Sequence, residues 1–312
     1  MNAITVTVNN TNDAGAGSLR EAIVITNTTV GNDLINFNLG AGGPFTITLL
    51  SALPTLTDNA GVTIDGWDNA GNPGTPNTIA IYSTSVGTPL NPVYKVVLGN
   101  GANIPVGLSL NSSNNLIRGL VLNDFGDGTP SGNDMCINIA GTSNTVVGCY
   151  IGMSHDGLTM GPRPFYGIYC TRGNNLIGDG TNAGVNLISG MGGFFGAKIY
   201  ISGATATANI VRGNIVGLTA NGTTALLTAS ASGIYLTGSA HSNTIGGLGA
   251  FDGNLISGNY STGMMVGTNS NVIQGNYIGP LSDGITGLAG TFQSNGMSMG
   301  GSYNQLGGSA AG

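Results

Sequence analysis

The sequence predicts an all-β fold, a right-handed parallel β-helix solenoid with a short N-terminal capping helix. Three observations carry that prediction. One short phrase, Asn followed by alternating apolar residues and a Gly, returns about every 30 residues. The composition couples 40% hydrophobic residues and 56 glycines to only 6% charged residues, which suits strands joined by tight turns with a polar but un-ionised surface. A single helix-start signal lies near the N-terminus, where a solenoid must hide its first coil.

The repeated phrase begins at Asn115, Asn144, Asn175, Asn209, Asn243, Asn271 and Asn304, with spacings of 29, 31, 34, 34, 28 and 33 residues. Before it stands a second alternating phrase, such as Ile137-Asn138-Ile139, Ile168-Tyr169-Cys170, Ile199-Tyr200-Ile201 and Ile234-Tyr235-Leu236. A third follows at Asn186-Leu187-Ile188, Asn214-Ile215-Val216, Asn254-Leu255-Ile256 and Asn276-Tyr277-Ile278. Three period-2 strands per repeat, parted by Gly and Asn turns, make one coil of a solenoid. Alternation then points Ile137, Ile139, Ile168, Cys170 and their equivalents inward, with Val146, Ile177, Val211, Ile245, Ile273 and Leu306 inward on the next strand. The repeated asparagines are expected to form a ladder, because a primary amide both donates and accepts and can bond an identical amide one rung away. Asn also tolerates left-handed backbone at a corner. Long connections near 123–135, 153–166, 218–232 and 280–295 alternate with shorter ones near 190–197 and 258–262, a two-coil super-repeat.

Ser18-Leu19-Arg20-Glu21 reads as a capping box, with Leu19, Ala22 and Ile23 on the buried face of the helix it opens. Ile47-Thr48-Leu49, Leu53-Pro54-Thr55-Leu56 and Val62-Thr63-Ile64-Asp65-Gly66 follow as strands of the first coils. No linker interrupts the chain, so one domain is expected over 1–312: strand and cap helix in 1–40, first coils in 41–107, regular Asn-ladder coils in 108–312.

Seven Lys and Arg against a formal charge of −6 disfavour nucleic acid, which needs clustered cations. No apolar run approaches the ~18 residues of a membrane span. The first residues alternate as a strand and lack the basic and apolar regions of a signal peptide, as expected of a mature domain with an added Met. Cys136, Cys149 and Cys170 fit neither a zinc spacing nor an even disulfide set.

TVNNTNDAGAGSLREAI (7–23), PTLTDNAGVTIDG and the NxIxGN phrases together resemble bacterial cell-surface β-helix proteins of the pectate-lyase-like superfamily that carry a "CSLREA" motif. Gly17 stands where that motif has Cys. The resemblance spans essentially the whole chain and implies a secreted or cell-surface protein, a structural or adhesive scaffold able to associate with itself or with surface polysaccharide. It also brings two alternatives into view, a polysaccharide lyase or hydrolase and a tailspike-like trimer.

No catalytic constellation emerges. A glycosidase needs two carboxylates about 5–9.5 Å apart, and none of the residues that alternation points outward is acidic. The densest acids, Asp124, Asp127 and Asp134, could offer oxygen ligands to calcium, with His155, Asp156 and Arg163 in the next long loop; Asp-Gly and Asn-Asp pairs equally make turns. No other cofactor is implied. Tyr169, Tyr200 and Tyr235 should stack outward on consecutive coils, where aromatic rows either bind sugars or stabilise the sheet. Tyr150, Leu187, Ile215, Leu255 and Tyr277 form an outward apolar stripe, to be covered either by the protein's own loops or by another chain. The terminal rung phrase at Gln305–Gly308 lacks a cap, which points to a continuing chain or to end-to-end contact.

Overall fold

The computed structural model describes residues 2–82, 87–126, 132–160, 164–192, 196–226, 231–290 and 293–308. It is a parallel β-helix with one helix at its start. Every pairing between its named strands is parallel, and three sheets run along the solenoid with ten, eight and seven strands among the described residues. The ten-stranded sheet (sheet A) includes Leu116–Arg118, Thr145–Val147, Leu176–Ile177, Ile210–Val211 and Thr244–Gly246. The eight-stranded sheet (B) includes Leu120–Leu122, Tyr150–Ile151, Leu187–Ile188, Ile215–Val216, Leu255–Ile256 and Tyr277–Ile278. The seven-stranded sheet (C) includes Met135–Ile139, Tyr166–Cys170, Ala197–Ser202, Ser232–Thr237 and Thr262–Val266.

The inward set matches the alternation: Ile137, Ile168, Ile199 and Ile234 from sheet C, Val146, Ile177, Val211 and Ile245 from sheet A, and Ile151, Ile188, Val216 and Ile256 from sheet B share one core and are fully buried. At the last rung Leu306 is exposed. The helix α1 (Leu19–Thr26) closes the other end, with Leu19, Ala22 and Ile23 buried beneath it. Its cap departs slightly from a reciprocal box. Ser18 Oγ accepts from the Glu21 amide, but Glu21 Oε2 accepts from Gly17 N at 2.6 Å. All three cysteines are buried and free.

Two asparagine ladders hold the corners. In the first, Asn115 Nδ2 donates to Asn144 Oδ1 (2.7 Å), Asn175 to Asn209 (3.1 Å), Asn209 to Asn243 (2.9 Å), Asn243 to Asn271 (3.3 Å) and Asn271 to Asn304 (3.1 Å). Each Oδ1 also accepts the backbone N–H of the preceding rung's Asn, as Asn209 does from Asn175 N at 2.9 Å. The second ladder runs Asn186–Asn214–Asn254–Asn276 at the turn into sheet B. The left-handed residue at the first corner is not the laddered Asn, as its tolerance for that backbone suggested, but the residue before it: Ser143, Asn174, Ala208, Ser242 and Ser270 have φ of 55–60°. The ladder Asn must already be in register with the strand, because its own N–H bonds the next rung's amide. The bend therefore falls one residue earlier.

The outward stripe of sheet B is covered by the protein itself. Leu187, Ile215, Leu255 and Tyr150 are at most 2% exposed and form a second hydrophobic cluster, leaving Tyr277 as the exposed end of the row. Two devices close it. Three hairpins, bridged at Met153–Met160, Leu218–Ala225 and Pro280–Gly287, mark the two-coil super-repeat. They link to one another through Ala220 N to Gly157 O (2.9 Å) and Ser282 N to Gly222 O (3.0 Å). Segments 70–82 and 87–95 then lie along the face as a strap. Tyr94 packs on Tyr150 (4.6 Å between ring centres), Leu90 N donates to Ala220 O (2.9 Å), and Tyr82 meets Tyr277 (4.0 Å). The stripe thus faces away from the coil core, as expected, and among its described residues only Tyr277 stays open to another chain. Leu255→Ala should accordingly lower stability by about 2–3 kcal/mol through the cavity it opens. Sedimentation should find its oligomeric state unchanged; a shifted oligomer at unaltered stability would return the stripe to an association role.

Candidate functional site

A row of half-buried aromatic side chains runs along sheet C. Register places Ser109, Asn138, Tyr169, Tyr200, Tyr235, Met265 and Ser298 on successive outward rungs. Tyr169 and Tyr200 have ring centres 5.3 Å apart and tilted, and Tyr200 and Tyr235 are 5.3 Å apart and edge-on. Two residues that the alternation did not single out support them. Tyr166, 7% exposed, packs 4.4 Å from Tyr200 and 5.2 Å from Tyr169, and Phe165 packs edge-on against Tyr166 at 4.7 Å. Their signal was the aromatic pair Phe165-Tyr166 just upstream of the Tyr169 phrase. Burial, then the neighbouring Tyr200, pushes the Tyr166 hydroxyl well above the usual tyrosine range, and burial pushes Tyr200 up too. Both rings are neutral at physiological pH.

Asp124 sits on left-handed backbone at φ 67°, and burial raises its carboxyl. Asp134 is buried, with its backbone carbonyl accepting from Tyr166 N, and Asp127 lies outside the described residues. Among the described residues no group of three His, Cys, Asp or Glu is arranged to hold a metal. Asp156 serves a hairpin turn: Oδ1 accepts from Leu158 N at 2.9 Å and from Ser154 Oγ, and these bonds hold its carboxyl below the usual range. Asn221 and Asp283 stand at the same place in the other two hairpins, Asp283 accepting from Ile285 N (2.9 Å) and Thr286 N (2.8 Å). In each case a Gly follows with φ of 65–70°, the left-handed position of the turn. His155 and His241 are exposed, His241 with only Ser242 Oγ at 3.1 Å, and Arg163 lies outside the described residues. Asp65 accepts both Nε and Nη2 of Arg118 at 2.9 and 2.5 Å, pinning an early coil to a later one.

Sequence alternation also overlooked Lys198. Sister positions on sheet C carry Gly107, Cys136, Gly167, Gly233, Gly263 and Gly296; Lys198 lies among them 4% exposed, its Nζ donating to Ala231 O at 3.2 Å. Burial lowers its pKa from 10.5 to about 7.

No helix among the described residues is long and apolar enough to cross a membrane. The chain matches no family model and no curated protein sequence.

Proposed function

We propose that the chain is a rigid scaffold module of the secreted or cell-surface β-helix type, in line with its resemblance to CSLREA-bearing proteins of the pectate-lyase-like superfamily. One observation carries this reading: the regular coils present no carboxylate on the outward rungs of any sheet, while Asn209, Asn214 and their buried sisters are bonded rung to rung in two asparagine ladders. Residues committed to amide stacking and turn capping supply stiffness; hydrolysis or elimination would need acids and bases converging on a groove. Ten rungs at roughly 4.8 Å give a rod on the order of 45 Å long. Small-angle scattering should show that rod. Incubation with polygalacturonate and with neutral polysaccharides, with and without calcium, should release no product. Cleavage abolished by Asp124→Ala would replace the scaffold by an enzyme.

A further inference from the structure

We infer that the outward face of sheet C is a binding platform for an uncharged glycan chain, with Tyr169, Tyr200 and Tyr235 as its stacking floor. The chain treats its two aromatic-bearing faces differently. Over sheet B it lays a strap and three hairpins, and Tyr150, Leu187, Ile215 and Leu255 are buried beneath them. The three tyrosines of sheet C stay half exposed although they sit on equally regular rungs.

The platform is built rather than incidental. Buried Phe165 and Tyr166 pack against the row together with buried Met135 and Ala197, so the rings are held by fixed neighbours. Immobilised rings lose little further entropy on binding, the condition under which aromatic contact is most productive. Ring centres 5.3 Å apart follow the rung spacing of the sheet, close to the length of one pyranose; Tyr169 and Tyr200 are tilted by 32°, and Tyr235 stands at 88° to Tyr200, so it meets the glycan from a different side.

Beside the rings, the same alternation continues the outward side of sheet C through Thr171, Ser202 and Thr237, each partly exposed. Stacking surface flanked by hydroxyls matches a sugar, which shows an apolar C–H face and a rim of hydroxyls. The charge of the face selects the class. Asn138 and Met265 border the tyrosines along the sheet, and none of the outward rung residues is ionised. An anionic polymer such as a uronan would find no cation among the rung residues themselves, exposed Arg172 lying in the turn past Thr171, and nucleic acid, which needs clustered cations, is disfavoured for the same reason. The proposal draws on the scaffold reading only for the rigidity of the face.

Isothermal titration of the intact chain with cellohexaose, mannohexaose, laminarihexaose and polygalacturonate tests it. At least one neutral hexasaccharide should bind, and polygalacturonate should not. Tyr235→Ala, at the end of the row, should weaken that binding tenfold or more with a thermal midpoint close to the parent's, and Tyr235→Phe should keep most of it. Should Tyr235→Ala prove unstable, Tyr169→Ala serves the same purpose. Failure of all neutral hexasaccharides at millimolar concentration, binding indifferent to both alanine variants, or equal binding of polygalacturonate would each overturn the platform. A rod-shaped domain that binds none of the probes would refute the site and leave the scaffold standing, whereas the loss of the rod itself would refute the scaffold.

Discussion

Asn209→Ala should destabilise the domain by about 3–4 kcal/mol, read as a lower urea midpoint at unchanged slope. Asn209 is fully buried. Its Oδ1 accepts the backbone N–H of Asn175 at 2.9 Å and the Asn175 amide at 3.1 Å, while its own amide donates to Asn243 at 2.9 Å. Alanine leaves the Asn175 backbone N–H without an acceptor in a place water does not reach, and a buried orphan costs about 1–3 kcal/mol beyond the bonds lost. Aspartate is no remedy, since a carboxylate would face Asn243 Oδ1 with no proton to share. Asn304→Ala, on a rung whose neighbours are exposed, should cost under about 1 kcal/mol, because water replaces the missing partner. Equal effects at the two positions would show that amide stacking is not what holds the corner.

Lys198→Met should raise stability near neutral pH by several kcal/mol and remove most of its rise with pH. The folded pKa of about 7 lies below the ordinary 10.5, so between those values the unfolded chain binds the extra proton and stability increases with pH. Below pH 7 the lysine is charged in both states and the full penalty applies, on the order of 4–5 kcal/mol by the size of the shift. The buried thiols act in the opposite sense. Burial raises Cys170 to about 11, Cys149 to about 12 and Cys136 further still, against an ordinary 9.0. Above pH 9 the unfolded chain therefore loses protons first and stability falls. Chemical denaturation across pH 6–10 should trace a rise to about pH 9 followed by a decline. In Lys198→Met the rise should vanish and the decline remain. A parent profile flat between pH 7 and 9 would mean that Lys198 is solvated or paired in solution.

Much of this was legible in residue order. Period-2 alternation at Ile137-Asn138-Ile139 and its sisters determines which side chain enters the core, because successive strand residues must point to opposite faces. The recurrence of Asn one coil apart determines the ladder, because an amide is complementary to a copy of itself. Ser18 and Glu21 mark the start of α1 for equally local reasons. Tyr169, Tyr200 and Tyr235 follow from the same arithmetic and do stand in one row.

What covers a face is a different kind of fact. Sequence alternation could say that Leu187, Ile215 and Leu255 leave the coil core, but not that segments 70–82 and 87–95, distant in the chain, would return over them and bring Tyr82 to Tyr277. That depends on where a non-repeating excursion finds apolar surface to bury, a long-range choice with no period to reveal it. Lys198 escaped notice for a related reason: its burial arises at an irregular position of the coil, where the sister coils carry glycine or, once, Cys136, and the alternation breaks. The sequence by itself determined the coil, its core and its ladders, since those repeat at every rung. Tertiary structure alone decided which outward face is covered and which remains open, since that turns on how a non-repeating strap and the hairpins of the long loops settle against one sheet.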